Sequence, residues 1–149
     1  MPDDSATQQD SESLTVWLDG FSTEIQTLDY ETARKRFVQD VTTFSTHKNI
    51  VSNLDEFEHD QWRHVWHTST GFHWDTAELR FGTSPDRLMA WIAVPCASTG
   101  YQEDGSAFER PGRGSLVLTR ESLDAPWLGV HVHVSLRHGV QAKSYGKPK

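Results

Sequence analysis

The chain has 149 residues and a formal net charge of -7, from 21 acidic against 14 basic side chains. That length suits one domain, and the acidic balance argues against a nucleic-acid partner. A single cysteine, Cys96, excludes an intrachain disulfide, and no apolar run approaches the ~20 residues of a membrane-spanning helix. We therefore expect a soluble, cytoplasmic protein without a membrane partner.

The two ends of the chain lack apolar periodicity. Residues 1–12 are rich in acidic and small polar side chains, a composition typical of a disordered tail. Residues 140–149 predict a flexible C-terminal tail for the same reason. The folded domain is therefore expected over 13–139.

Three amphipathic helices are predicted in the first half of this domain. The first spans 14–28, with Ser13 as its N-cap. Its apolar residues recur at helical spacing and form one broad stripe: Leu14, Trp17, Leu18, Phe21, Ile25 and Leu28. Asp29 can cap a second helix that ends near Asp40, and a third helix is expected over 54–66.

Strands are predicted to follow the helices. A short extended segment is expected at 41–46, and from Thr70 onward the apolar period changes to two. Turn residues divide this second half into four long strands, at about 70–82, 87–99, 107–121 and 126–138. This order indicates an α+β domain in which a strongly curved antiparallel sheet wraps around the N-terminal helices. Such a cone leaves a cavity between helix and sheet.

The last predicted strand alternates between valine and histidine. Strict alternation puts its valines on one face and His131, His133 and Ser135 on the other. The two histidines could bind zinc with a third imidazole, from His64, His67 or His73, but no cysteine or carboxylate spacing supports such a site. We therefore predict no metal and interpret the polar face as a contact with neighbouring strands or a partner subunit.

Several short motifs follow one another in a characteristic order: Asp29-Tyr30-Glu31, Phe37-Val38, Asp40-Val41, Gly100 to Gly105, Phe108-Glu109-Arg110, Gly112-Arg113-Gly114 and Trp127 to Ser135. Their order resembles the SnoaL-like domains of the NTF2-like superfamily, related to ketosteroid isomerases and to the association domain of calmodulin-dependent kinase II. The resemblance covers about 14–139 and implies a cystatin-like cone with a pocket. It also implies a homodimer built sheet against sheet.

The resemblance also bears on the ligand. Kinase association domains of this type have arginines in the pocket, and aligning on the last strand puts Val134, Leu116 and Ala93 at those positions. An anionic ligand is therefore disfavoured, because apolar side chains cannot offset the lost hydration of a carboxylate. The same alignment puts Trp91 and Val132 on the cavity side.

Six tryptophans and seven phenylalanines are many for a chain of this size. Helical spacing is typical of core residues, but a cone too wide to be filled turns core positions into lining positions. We predict the following ligand-binding residues: Trp17, Phe21, Trp62, Trp66, Trp91, Val132 and Val134.

Catalysis by proton transfer would need a carboxylate in the cone. The resemblance to isomerases makes Asp40 one candidate, because their proton-moving carboxylate lies near the junction of the second helix and first strand. His73 and Asp75 are two residues apart and share a strand face, so they could form an acid–base pair at the mouth. The alternative interpretation is that all three are solvated surface residues.

Three functions follow from these observations. The first is binding of a small, uncharged hydrophobic molecule in an aromatic-lined cone. The second is an isomerase, dehydratase or cyclase that uses a pocket carboxylate and no cofactor. The third is an association module in which the sheet joins subunits and the pocket is incidental.

Overall fold

The computed structural model describes residues 4–45 and 48–149. Its helical segments are α1 (Asp4–Thr27), α2 (Tyr30–Arg34), α3 (Leu54–Phe57), a π-helical turn (Glu58–Trp62), α4 (Arg63–Val65) and the 3-10 turns Trp66–Thr68 and Thr76–Glu78. The strands are β1 (Phe37–Thr43), β2 (Thr70–Trp74), β3 (Arg80–Thr83), β4 (Met89–Tyr101), β5 (Ala107–Thr119) and β6 (Leu128–Leu136). Residues 1–3 of the predicted tail and Thr46, at the end of the predicted extended segment, lie outside the described residues. No helix within the described ranges is long and apolar enough to cross a membrane.

Helix α1 begins at Asp4, well before its predicted start. The predicted disordered tail is therefore wrong for residues 4–12. The side chain of Asp10 is only 3% exposed and forms ion pairs with Arg87 at 2.8 Å and Arg120 at 2.9 Å. These ion pairs fix the first turns of α1 to the domain. Because both arginines are distant in sequence, the polar composition of residues 4–12 does not reveal that Asp10 is buried.

The C-terminal segment also packs against the domain instead of forming the predicted flexible tail. Ser144 is buried, and its hydroxyl accepts a hydrogen bond from the backbone N–H of Tyr101 at 2.9 Å and donates one to the carbonyl of Thr68. The N–H of Tyr145 donates to the carbonyl of Tyr101 at 2.8 Å. The segment has no regular secondary structure. Tyr101, the last residue of β4, provides hydrogen-bond partners for Ser144 and Tyr145.

The second helix is much shorter than predicted. It ends at Arg34, and β1 begins at Phe37 and pairs in parallel with β6, so the sheet is mixed and not antiparallel throughout. Phe37 lies against Gly129, where an added Cβ would stand 2.5 Å from the Phe37 ring. The absence of a side chain at Gly129 allows this close approach.

The remaining strands form an antiparallel meander, and the strand order is β1-β6-β5-β4-β2. The predicted strand over 70–82 is divided, because β2 pairs with one end of β4 and β3 pairs with the other. Pro95 lies between these two pairings and cannot donate to either partner. The α+β fold class is as predicted.

The core lies between α1, the helical segment 54–68 and one face of the sheet, here called the inner face. Phe21 on α1 is its centre, and its ring centroid lies within 5.3 to 6.4 Å of five other aromatic rings: Trp17, Phe37, Trp62, Trp66 and Trp74. Such edge and tilted contacts add to the stabilisation that burial of the rings provides. The opposite, outer face of the sheet carries exposed side chains, among them Met89 and Trp91 on β4.

Candidate ligand cavity

A cavity of about 130 Å³ lies beside this aromatic core. Its walls come from α1, the helical segment 54–68 and the inner face of the sheet. The lining residues are Phe21, Ile25, Thr43, Phe44, Phe57, Gln61, Trp62, Val65, Trp66, Phe72, Trp74, Val132 and Val134.

Helical spacing forms one wall. Phe21 and Ile25 are four residues apart on α1 and therefore lie on the same face. Trp62 and Trp66 have the same separation, and their rings are stacked with centroids 4.6 Å apart. The π-helical turn that precedes α4 includes Gln61, whose side chain also reaches the wall. Such turns widen a helix locally and are frequent at functional sites.

The sheet forms the opposite wall and the rim. Val132 is buried, and its carbonyl accepts a hydrogen bond from the Thr43 hydroxyl, so the polar group of Thr43 is satisfied within the wall. At the rim, Phe44 is 49% and Val134 45% exposed. The cavity is therefore open to solvent on this side.

Trp74 forms the inner corner of the cavity. Its six-membered ring covers Gly114, where an added Cβ would stand 2.5 Å from the ring, and it meets Phe72 edge-on at 5.1 Å. The backbone N–H of Trp74 donates to the hydroxyl of Ser22 at 3.0 Å. The indole N–H is different, because it is buried and has no acceptor among the residues that the structure describes.

Among the residues that the structure describes, the wall contains no acid or base. Two buried carboxylates are next to wall residues in sequence, and neither lines the cavity. Glu24 is bound by Arg36 at 2.6 Å, and Glu58 is bound by Arg63 at 2.7 Å and Arg34 at 3.2 Å. Burial opposes ionisation of Glu58, but the hydrogen bonds from Arg63 and Arg34 lower its pKa below the ordinary value. Over residues 4–45 and 48–149, no three His, Cys, Asp or Glu side chains gather as a metal site requires.

The predicted ligand-binding residues lie in three places: the cavity wall, the core away from the cavity, and the outer face of the sheet. Phe21, Trp62, Trp66, Val132 and Val134 lie in the cavity wall. Trp17 is buried away from the cavity, and its indole N–H donates to the carbonyl of Trp127 at 3.1 Å.

Trp91 requires a correction, because it is 52% exposed on the outer face of β4. Ala90 and Ile92, its neighbours in sequence, are the buried residues. The alignment that put Trp91 and Ala93 toward the pocket is therefore out of phase by one residue on this strand, although Leu116 and Val132 do face inward as a cross-strand pair.

The three candidate catalytic residues lie outside the cavity. The sequence places Asp40 at the junction of the second helix and the first strand, but the structure has it exposed in the middle of β1. His73 is exposed on β2, with Nδ1 3.1 Å from the carbonyl of Gly71. Asp75 follows β2, and its N–H donates to the carbonyl of Pro95 at 2.8 Å. The structure does not bring these side chains together around a common substrate position.

The polar residues of β6 lie on the outer face. His131 Nδ1 is 2.8 Å from the carbonyl of Thr42, and Arg113 donates to the hydroxyl of Ser135 at 3.2 Å. The ring of Phe44 contacts both His131 and His133, with centroids 5.8 and 5.1 Å apart. A register shift leaves Val130 without a partner on β5, so the alternation predicted from Val130 to Ser135 is interrupted there.

Sequence analysis missed several wall residues, of which Trp74 is the most informative. It lies between His73 and Asp75, and strand alternation places it on the face opposite both. That signal was available in the sequence. Phe44 and Gln61 had no such signal, because one follows the end of a strand and the other lies in a π-helical turn.

No family model and no curated protein sequence matches this chain. Solved structures match it in fold. An NTF2-like superfamily protein from Salmonella enterica has a TM-score of 0.69 at 16% identity, over 92% of this chain and 99% of its own. The association domain of C. elegans CaMKII has a TM-score of 0.63 at 17% identity, over 88% and 96%. A Shewanella frigidimarina protein, ketosteroid isomerase-like by name, has a TM-score of 0.63 at 18% identity, over 77% and 88%.

At these identities the likeness concerns the fold alone. The chain has the NTF2-like fold, as the motifs implied, with α1 packed on a mixed sheet of six strands.

Proposed function

We propose that this protein binds a small, uncharged hydrophobic compound in the cavity. The observation that supports this proposal is the wall itself. It is formed mainly by aromatic and aliphatic residues, with Thr43 and Gln61 as its polar members, and none of its described residues is ionisable. Such a wall suits an apolar molecule, whereas a charged one would lose its hydration without a counter-charge.

The size of the cavity limits the compound. At about 130 Å³ it is well below the roughly 300 to 1,000 Å³ of pockets for drug-sized ligands. It is similar to the ~150 Å³ apolar cavities that accept benzene. A compound with one ring is therefore the better fit, and a four-ring steroid skeleton would need the wall to move.

The isomerase or dehydratase alternative is less well supported. Ketosteroid isomerase-like and dehydratase-like proteins share this fold, but fold does not determine chemistry. Proton transfer needs an acid or base within hydrogen-bond reach of the substrate. Asp40, His73 and Asp75 are not wall residues, so we propose binding without catalysis.

Closing the rim tests the binding proposal. We expect Val134→Phe to weaken binding of ethylbenzene at least tenfold, because the larger ring would occupy the open side of the cavity. Val134 is 45% exposed, so the substitution should leave the fold intact. Binding would be followed by the indole N–H signals of the tryptophans in two-dimensional NMR.

Val16→Phe is the matched control, since Val16 is 71% exposed on α1 and is not a wall residue. We expect wild-type affinity from this variant. If saturating ethylbenzene moves no wall indole signal in the wild type, or if both variants bind equally well, the proposal is wrong.

We propose self-association through the outer face of the sheet as a second property. Trp91 and Met89 are 52% and 47% exposed on neighbouring outward positions of β4, so their side chains form a small contiguous apolar patch. The predicted interface residues His131, His133 and Ser135 lie on the same face of the sheet. The likeness to a kinase association domain adds support from the fold.

The oligomeric state tests this second proposal. We expect a dimer at micromolar concentration by sedimentation velocity, and a monomer for Trp91→Glu, because a buried unpaired carboxylate would oppose the interface. Val16→Glu places the same charge on α1 and should remain dimeric. A monomeric wild type, or dissociation of both variants, would contradict the proposed interface.

A further inference from the structure

We infer that Gly82 is a positioning residue for self-association, because the absence of a side chain there allows the Trp91 indole to lie on β3, in the place where a second copy of the chain contacts it. This inference rests on the proposed self-association and deepens it, by naming the residue that positions the largest side chain of the apolar patch. Gly82 on β3 and Trp91 on β4 are direct cross-strand partners. The Trp91 ring occupies the space in which a Gly82 side chain would stand.

The Trp91 ring, and not the backbone, is what requires glycine at position 82. Gly82 does not have a positive φ, so its backbone conformation suits other residues as well. An added Cβ, however, would stand 2.4 Å from Nε1, 2.7 Å from Cε2 and 2.9 Å from Cζ2 of Trp91. These three consecutive atoms form one side of the indole, so the ring extends from β4 over β3. An alanine at position 82 would have to displace it.

The neighbour on the other side of Trp91 is larger than glycine. Trp91 pairs with Val117 on β5, and Val117 in turn pairs with His131 on β6. The branched side chain of Val117 leaves less room beside Trp91 than Gly82 does, so the ring lies toward β3. This row of the sheet therefore presents the Trp91 indole, Val117 and the predicted interface residue His131 side by side on the outer face.

An aromatic ring that is held in place before association favours binding. Tryptophan is prominent among the residues that contribute most of the binding energy of an interface. A tryptophan that rotates freely loses this freedom on contact with a partner, whereas one that already lies on β3 loses little. Trp91 is still 52% exposed, so a large part of the ring remains for the second copy to contact. We therefore expect positioning by Gly82 to strengthen the dimer roughly twofold to tenfold.

A purely structural role of this contact predicts a different result. Aromatic rings also cover glycines in sheets and stabilise the strand that contains them. Loss of such cover would lower the stability of the folded chain, and the dissociation constant of the dimer would not change.

Gly82→Ala tests the inference, with the dissociation constant of the dimer measured by sedimentation velocity over a series of protein concentrations. We expect the constant to rise roughly twofold to tenfold, because the new Cβ displaces the ring from β3. The indole N–H signal of Trp91 in two-dimensional NMR should move as well. Unfolding in urea should show that the variant is folded, since alanine suits the interior of a strand better than glycine does.

The matched control is the same substitution in a Trp91→Ala background, measured at the higher concentrations that this weaker dimer requires. Gly82→Ala should leave the dissociation constant of that variant unchanged, because it has no ring to displace. Equal constants for the wild type and Gly82→Ala, or an equal loss in both backgrounds, would overturn the inference and leave the proposed interface intact. A monomeric wild type would overturn the two together. The comparison of the wild type with Gly82→Ala decides the question even if Trp91→Ala does not associate.

Discussion

Replacing Asp10 with alanine is expected to lower the free energy of unfolding by about 3 to 5 kcal/mol, the usual cost of removing one partner from a buried ion pair. The Asp10 carboxylate binds Arg87 through both oxygens, at 2.8 and 2.9 Å, and Arg120 at 2.9 Å. The side chain of Arg120 is 4% exposed and lies 3.9 Å over the Trp127 ring. The alanine variant would leave this buried guanidinium without its carboxylate. Equilibrium unfolding in urea measures the loss.

The control for this prediction is Asp19→Ala, which removes an exposed carboxylate from the same helix. We expect it to change stability by no more than about 0.5 kcal/mol. Equal effects of the two substitutions would mean that the Asp10 cluster does not fix the start of α1.

The Asp10 cluster also predicts an acid dependence. The hydrogen bond from Arg87, followed by that from Arg120, lowers the pKa of Asp10 below the ordinary 3.8 despite its burial. Because the folded-state pKa is the lower one, the stabilisation is complete above pH 3.8 and is lost as the pH falls through the folded-state value. The stability difference between wild type and Asp10→Asn should therefore be constant near neutral pH and shrink below pH 3.8.

Phe21→Ala is the second substitution with a large expected effect. Phe21 is 3% exposed and contacts rings from α1, β1, β2 and the helical segment 54–68. Its removal should lower the free energy of unfolding by about 3 to 5 kcal/mol, because the lost burial and the enlarged cavity both oppose folding. Unfolding in urea measures this loss, and Phe21→Leu provides a milder variant if the alanine protein does not fold.

Phe44→Ala is the matched control, since Phe44 also lines the cavity but is 49% exposed. It should cost only about 1 kcal/mol, in proportion to the smaller apolar area that it buries. A similar loss from both phenylalanines would show that Phe21 is not the centre of the core.

Most of the first helix and the order of the later elements could be predicted from local patterns. The apolar stripe of α1 is buried at Leu14, Leu18, Phe21 and Ile25, because helical period is a property of a few neighbouring turns. Trp74 could have been placed by the same kind of argument, since its neighbours in sequence are polar.

The face of β4 could not be predicted in this way. Ala90 and Ile92 alternate with Met89 and Trp91, so both faces of the strand are apolar and the pattern does not say which is buried. Pairing with β5, where Ile92 lies beside Leu116, decides that Trp91 is on the outer face.

The sequence by itself thus determined the apolar stripe of the first helix, the strand-rich second half, the aromatic character of the interior and, through the order of its motifs, the resemblance to the NTF2-like fold. Only the tertiary structure decided which aromatic rings line the cavity, that Asp10 is buried, and that β1 runs parallel to β6. The physical reason is the separation along the sequence between the residues that interact. Helical and strand periods arise between residues a few positions apart, whereas the Asp10 to Arg120 pair and the position of the Trp74 indole depend on contacts between distant parts of the chain.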